Sequence, residues 1–276
     1  MKTITLAVIA ALGLSVSTTA ALANCGDKPD SCVIAEGNYE VKLPPNAPEN
    51  APMVVFLHGY GGNGNGSLGR KSMVQPILDR GFAIIAPNAL MRGRNTSWNF
   101  HPQRNSGRDE AAFIGAVIKD AATRFNLNPD RVLLAGFSIG GSMTSYLACQ
   151  TPDIATAFAP VSGSFWRPHP TECAAPVRLL HTHGWRDGTV PLEGRTVGSG
   201  FTQGDVFYAM SLWASTNTCE QPRADSFDTA APFWRRSWTE CSPNSALELA
   251  LFDGGHVVPE GWAEMALDWF DAAVPE

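Results

Sequence analysis

Gly136-Phe137-Ser138-Ile139-Gly140 sets a serine between two glycines, in the spacing G-x-S-x-G. A hydroxyl becomes a useful nucleophile only when a base takes its proton and the backbone presents its oxygen. The flanks supply that presentation: the apolar run Val132 to Ala135 leads in, and small residues of helical character lead out to Cys149. Strand, sharp turn and helix lift a serine Oγ clear of a sheet. Gly136 and Gly140 keep Cβ atoms out of the space where strand and helix nearly touch. The helix start behind Ser138 offers partial positive charge and free N–H groups to a developing oxyanion. The bland alternative is a Gly/Ser-rich turn that merely links two elements. The strand before and the helix after favour the nucleophile.

A serine nucleophile needs a base, and the base needs an orienting acid. On folds that carry this turn the chain order is serine, acid, histidine. Six histidines are present, at 58, 101, 169, 181, 183 and 256. His256 closes Asp253-Gly254-Gly255-His256, just past the apolar run Leu247 to Phe252, and no histidine follows it. It is the expected base. Asp187, in His183-Gly184-Trp185-Arg186-Asp187-Gly188-Thr189-Val190-Pro191, follows the run Val177 to His183 and is the expected acid. Asp153 comes too early, while Asp205, Asp225 and Asp228 fall in an irregular stretch.

The oxyanion would be held by the Ile139 N–H and by one N–H of the turn His58-Gly59-Tyr60-Gly61-Gly62. Tyr60 is the expected second donor, with Gly61 as the neighbour that could serve instead. Trp98 and Trp166 lie near strand ends and are assigned as a substrate wall, although tryptophan more often simply packs. Two other patterns read as structural. Gly64-Asn-Gly66-Ser-Leu-Gly69 matches G-x-G-x-x-G but begins well past the strand ending at Leu57, and no ribose-binding acid follows the next strand. His181 and His183 share one strand face, where structural imidazoles are commoner than a metal pair.

These groups must be positioned by a mostly parallel sheet. Pro52 to Leu57, Phe82 to Ala86 and Val132 to Ala135 are apolar throughout, and Ala155 to Val161, Val177 to His183 and Ala246 to Phe252 are largely so, as strands covered on both faces should be. Tyr39 to Leu43 adds an early strand. Arg70 to Arg80 and Glu110 to Phe125 are helices, the second with Phe113, Val117, Ala121 and Phe125 on one face. Asn128-Pro129-Asp130 reads as a turn feeding the nucleophile strand, Pro87 to Gly107 as a loop, and Gly194 to Pro243 as an irregular insertion. The fold class is α/β with helices on both faces of the sheet.

A formal net charge of −6 over 276 residues, with no lysine/arginine run, argues against a nucleic-acid partner. Lys2, the apolar stretch Leu6 to Leu14 and the Ala21-Leu22-Ala23 site predict a signal peptide over residues 1–23. A catalytic domain over residues 24–276 would then be secreted or periplasmic, with no membrane anchor because the apolar stretch is too short to span. Export makes the six cysteines readable as disulfides, for which fifteen pairings exist. Sequential pairing is the economical one: Cys25–Cys32, Cys149–Cys173 and Cys219–Cys241, the last contributing roughly 3 kcal/mol on the loop-entropy model. No C-x-x-C or His/Cys cluster supports a metal.

His58-Gly59-Tyr60-Gly61-Gly62, Ser97-Trp98-Asn99, Gly136-Phe137-Ser138-Ile139-Gly140-Gly141, His183-Gly184-x-x-Asp187-x-x-Val190-Pro191 and Gly254-Gly255-His256 together resemble the secreted polyhydroxybutyrate depolymerase/feruloyl esterase group. The resemblance spans nearly all of the chain after residue 23. It implies an α/β-hydrolase fold and the roles given above for Ser138, Asp187 and His256. It also implies a disulfide in the Cys219 to Cys241 segment, and no metal or cofactor. The expectation is an exported, monomeric serine esterase acting on a hydroxyalkanoate, a hydroxycinnamate or an acetyl ester. Tyr60 and the want of an appended polymer-binding module favour small soluble esters. The rival readings are a non-catalytic polysaccharide-binding protein on this fold and a serine peptidase.

Overall fold

The computed structural model describes Cys25 and residues 30–104, 107–229 and 232–274. The leader expected over residues 1–23 lies outside them. Among the described residues, ten strands join in one sheet. They are β1 (Cys32–Ile34), β2 (Gly37–Lys42), β3 (Ala51–Leu57), β4 (Ala83–Pro87), β5 (Leu127–Phe137), β6 (Ala157–Val161), β7 (Arg178–Gly184), β8 (Ser226–Asp228), β9 (Phe233–Trp238) and β10 (Ala246–Phe252). Their order is β1-β2-β4-β3-β5-β6-β7-β10-β9-β8. The stretch from β4 to β10 is parallel throughout. Antiparallel strands finish both edges.

The parallel strands are the apolar runs of the sequence, and each face of them is covered. Met53, Val55 and Leu57 of β3 face one core layer, with Leu134, Leu179 and Leu249. Val54 and Phe56 face the other, with Ile84, Leu133 and Leu180. Burying each such side chain contributes roughly 1.5–3 kcal/mol, so the strands are specified by composition rather than by alternation. On the first face lie α3 (Glu110–Phe125), α4 (Ile139–Gln150) and α5 (Val206–Thr216). On the second lie α2 (Lys71–Asp79) and α6 (Trp262–Ala273), with Leu68 of the short α1 (Gly64–Leu68) beside them. Asp109 caps α3 by accepting the Ala112 N–H, and Asn126 ends it in the left-handed region. Both are ordinary start and stop chemistry.

Three expectations need correction. The stretch from Gly194 to Pro243 is not irregular: it contains α5 and the antiparallel β8 and β9. Val206, Ala209, Met210, Trp213 and Ala214 of α5 are buried in one stripe, and Asp205 caps the helix through the Tyr208 N–H. Trp238 closes the β9 end against the core, and Arg235 and Ser237 of β9 hold Glu248 of β10. The Asn128-Pro129-Asp130 turn lies inside β5, as an excursion between the pairs Ala51–Leu127 and Met53–Val132. The loop Pro87 to Gly107 carries a small antiparallel pair, Leu90–Arg92 with Asn95–Ser97. Disulfides join Cys25 to Cys32, Cys149 to Cys173 and Cys219 to Cys241. Among the described residues no helix is long and apolar enough to cross a membrane.

Candidate active site

Ser138 stands between β5 and α4 with φ of 59° and ψ of −122°, a conformation that non-glycine residues rarely hold. The surroundings over-determine it. Its N–H donates to Val161 O of the neighbouring strand at 2.9 Å. A Cβ on Gly140 would come within 2.1 Å of Leu57 O, and one on Gly136 within 2.4 Å of Gly140 O. Only glycine lets α4 start so close to β3 and β5, and that closeness aims Oγ outward.

The structure brings Ser138, His256 and Asp187 together although His256 lies 118 residues from the serine. Ser138 Oγ and His256 Nε2 are 2.8 Å apart, and His256 Nδ1 and Asp187 Oδ2 are 2.7 Å apart. A carboxylate can only accept, so Nδ1 carries the proton and Nε2 is left to receive the hydroxyl's. Asp187 is buried, and its Oδ1 accepts the N–H groups of Thr189 at 2.9 Å and Val190 at 2.8 Å. Burial pushes its carboxyl up, but the hydrogen bonds from His256 and Val190, with the imidazole charges, hold it below the usual carboxylate range. Asp187 therefore stays charged and orients the ring.

The loops carrying acid and base are spliced by their backbones. Trp185 N–H donates to Phe252 O and Arg186 N–H to Gly254 O, each at 2.9 Å. Gly184 passes so close to Gly255 that a Cβ would lie 2.3 Å from its carbonyl oxygen.

At the glycine-rich turn, the Gly61 N–H is spent on Thr96 O and the Gly62 N–H on Gly59 O, each at 3.0 Å. Among the described residues the Tyr60 N–H meets no backbone acceptor, nor does that of Ile139, the first residue of α4. Of the two candidates in the turn, Tyr60 thus keeps the available donor.

Three residues that support the site carry no sequence signal for that role. His58 is buried and neutral, because burial lowers its proton affinity. Its Nδ1–H donates to Gly59 O at 2.8 Å while Nε2 accepts the Ala89 N–H at 3.1 Å, so it braces the turn from beneath. His183 donates through Nε2 to Val190 O at 2.7 Å and lies 3.6 Å from Asp187 Oδ2. Its Nδ1 accepts from His181 Nε2 at 3.0 Å, so the two strand histidines are occupied with each other and with the acid loop. Burial lowers both, which keeps positive charge out of that stack.

Trp98 lines a cavity with Trp166, and it also holds the turn: it is 2% exposed and its Nε1 donates to His58 O at 2.8 Å. Trp166 is half-buried, with Nε1 donating to Ser142 Oγ at 3.3 Å. It meets Phe100 edge-on at 5.4 Å and Phe201 at 6.2 Å. These rings line a cavity of 150 Å³ together with Trp98, Ile139, Tyr60, Arg92 and His101. A second, larger cleft of 380 Å³ meets it at Tyr60 and runs along His256, Phe137 and Thr189. The G-x-G-x-x-G stretch forms α1, capped by Asn63, and Gly64 abuts Ala86 O.

A nucleophile turn, a hydrogen-bonded base and acid, and a parallel sheet with this crossover pattern define an α/β-hydrolase. The fold is shared with the acetyl xylan esterase of Aspergillus awamori at a TM-score of 0.66 and 17% identity, covering 84% of this chain and 93% of that one. The profile of the family described as "Esterase PHB depolymerase" matches residues 37–183. A probable feruloyl esterase C of Aspergillus clavatus is 30% identical over 271 residues, covering 90% of this chain and 89% of its own. Poly(3-hydroxyalkanoate) depolymerase C of Paucimonas lemoignei is 28% identical over 188 residues, covering 63% of this chain and 40% of its own. The chain belongs to the PHB depolymerase esterase family and is a carboxylic ester hydrolase.

Proposed function

We propose that the chain is an exported serine esterase, acting as a monomer over residues 24–276, that prefers an aromatic acyl group. In this reading Ser138 Oγ attacks the ester carbonyl while His256 Nε2 takes its proton. The Tyr60 and Ile139 N–H groups receive the charge that moves onto the carbonyl oxygen. His256 then returns the proton to the leaving alcohol oxygen as the C–O bond breaks. Water, deprotonated by His256, attacks the acyl-enzyme and releases the acid and free Ser138.

The acyl preference rests on the cavity beside Ile139. The leaving oxygen must meet His256, so the alcohol lies in the cleft that His256 lines. The acyl group is left with the other cavity, whose aromatic walls are Trp98, Trp166, Phe100 and Phe201, with Arg92 and His101 beside them. A cavity of about 150 Å³ holds one benzene-sized ring. Edge-on aromatic walls add about 0.5–1.5 kcal/mol per ring pair beyond burial. A long alkyl chain or a polymer strand fits such a box less well. The relative named feruloyl esterase agrees with this preference. Three disulfides fit an oxidising compartment outside the cytosol.

The test is a series of methyl hydroxycinnamates, p-nitrophenyl acetate and octanoate, and hydroxybutyrate oligomers, run with the wild type and Ser138→Ala. The expected result is turnover lost in Ser138→Ala and highest kcat/KM for the aromatic acyl esters. Octanoate or hydroxybutyrate oligomers winning would overturn the acyl assignment. A folded wild type inert on every ester would overturn the serine mechanism.

A further inference from the structure

The cleft along His256 carries a cation whose use the reaction does not explain. Arg70, the exposed residue before α2, lines that cleft with Asn63, Ser67, Phe137 and Thr189. Its guanidinium carbon sits 5.5 Å from the centroid of the Phe137 ring. Phe137 in turn lies 4.7 Å from the His256 ring, at 38°. Many of the chain's other arginines near carboxylates pair with them: Arg80, Arg108, Arg131 and Arg235 each sit within 4.0 Å of an Asp or Glu oxygen. Among the described residues Arg70 has no such ion pair, no carboxylate lines the cleft, and its side chain does not cap the helix it precedes. The chain as a whole carries a net −6, so a cation facing an acid-free cleft stands out against its background.

We infer that Arg70 is a specificity residue for an ester whose alcohol half bears a carboxylate. The inference rests on the esterase reading, through the single point that the alcohol occupies the His256 side. A planar guanidinium presents paired N–H donors that match a carboxylate. Phe137 sets the distance. Its ring contacts both the imidazole that protonates the leaving oxygen and the guanidinium. A carboxylate reaching Arg70 must therefore stand several bonds from the ester oxygen, across the width of a ring. A sugar acid meets that requirement, with its ring lying over the flat apolar face of Phe137 and its carboxylate at Arg70. A short hydroxy acid has its carboxylate too near the ester. The 380 Å³ cleft has room for a pyranose, whereas the acyl cavity is less than half that volume.

The test uses matched esters with the acyl group held constant. One is an acetyl ester on a ring hydroxyl of methyl glucuronoside. The second is the same ester with the carboxylate capped as an amide, which removes the charge without adding another ester. The third is the O-acetyl ester of 3-hydroxybutyrate. Wild type, Arg70→Gln and Arg70→Glu are compared, with p-nitrophenyl acetate as the neutral reference. The readout is the ratio of kcat/KM for the charged and capped sugar esters. That ratio is expected at about 5 to 10 in the wild type at low salt, the range of a charge-assisted pair near the surface. It should fall to about 1 in Arg70→Gln and below 1 in Arg70→Glu, and it should shrink in the wild type as salt rises. A wild-type ratio near 1, or one that survives Arg70→Gln, overturns the assignment. A higher kcat/KM for acetylated hydroxybutyrate than for the sugar acid overturns the sugar-acid part of it. No turnover of p-nitrophenyl acetate by folded wild type sinks the esterase reading and this one with it, whereas turnover with a ratio near 1 sinks this one alone.

Discussion

Asp187→Asn changes one atom in the relay, and the structure dictates how the enzyme should respond. Asp187 Oδ1 accepts two backbone N–H groups, from Thr189 and Val190, while Oδ2 accepts one, from His256. An asparagine must choose which side receives its oxygen. Turning the amide nitrogen toward the backbone would set donor against donor twice in a buried site, at about 1–3 kcal/mol for each unsatisfied group. Facing it toward His256 costs only one bond, and that bond is recovered if the imidazole moves its proton from Nδ1 to Nε2. The second arrangement wins, and Nε2–H can no longer accept the Ser138 proton. The expected loss is about 10⁴-fold in kcat, or about 5.5 kcal/mol of transition-state stabilisation. Because the loop keeps both backbone bonds, the melting temperature should stay within a few degrees of wild type. The assay is p-nitrophenyl acetate turnover at saturating substrate, paired with thermal unfolding. A folded Asp187→Asn within about 10-fold of wild type would refute the tautomer reasoning and the assigned role of Asp187.

Two further expectations concern packing. Gly140→Ala forces a Cβ against Leu57 O and His58 O at 2.1 and 2.7 Å. Both are backbone atoms, so α4 must shift, with a loss of about 10²-fold in kcat/KM and about 1–3 kcal/mol of stability. Gly115→Ala, inside α3 with nothing within 4 Å of the new Cβ, should instead raise stability by about 1 kcal/mol in denaturant melts. Arg108→Met strips the partner from Glu110, whose side chain is 1% exposed and whose Oε1 also accepts the Asn99 N–H. Burial already pushes the Glu110 carboxyl up. Without Arg108 its folded pKa rises further above the unfolded value, so stability is lost as pH rises through the folded pKa and regained on acidification. The expected cost is about 3–5 kcal/mol at neutral pH, shrinking toward about pH 4. Urea melts across that range check both the size and the sign, and Arg108→Met/Glu110→Gln should recover part of the loss.

The catalytic candidates were legible because they sit at the ends of apolar runs that could only be buried parallel strands. G-x-S-x-G, the acid after the run ending at His183 and the histidine after the run ending at Phe252 are local patterns placed by a global order. What escaped detection was set by contacts distant in sequence. Trp98 looks like any loop tryptophan until its indole N–H is seen to reach His58 O, forty residues away. His58 and His183 act through backbone carbonyls, which have no sequence signature. The α5 stripe is periodic, but the prolines and turns after it, from Pro222 to Pro243, made the whole segment read as irregular. The Asn128-Pro129-Asp130 turn chemistry is real, yet the neighbouring strand resumes pairing beyond it, so the turn became a bulge.

The backbone splice between the acid and base loops has an evolutionary consequence. Arg186 just past β7 and Gly254 just past β10 are fastened to each other where both strands leave the sheet. Everything between them, α5, the β8–β9 hairpin and β10 included, departs from and comes back to a fixed clasp. The outer part of that excursion can therefore lengthen, shorten or change its surface without altering the reach of His256 to Asp187. A family built this way can trade substrates by rewriting a peripheral segment while its proton relay is inherited intact.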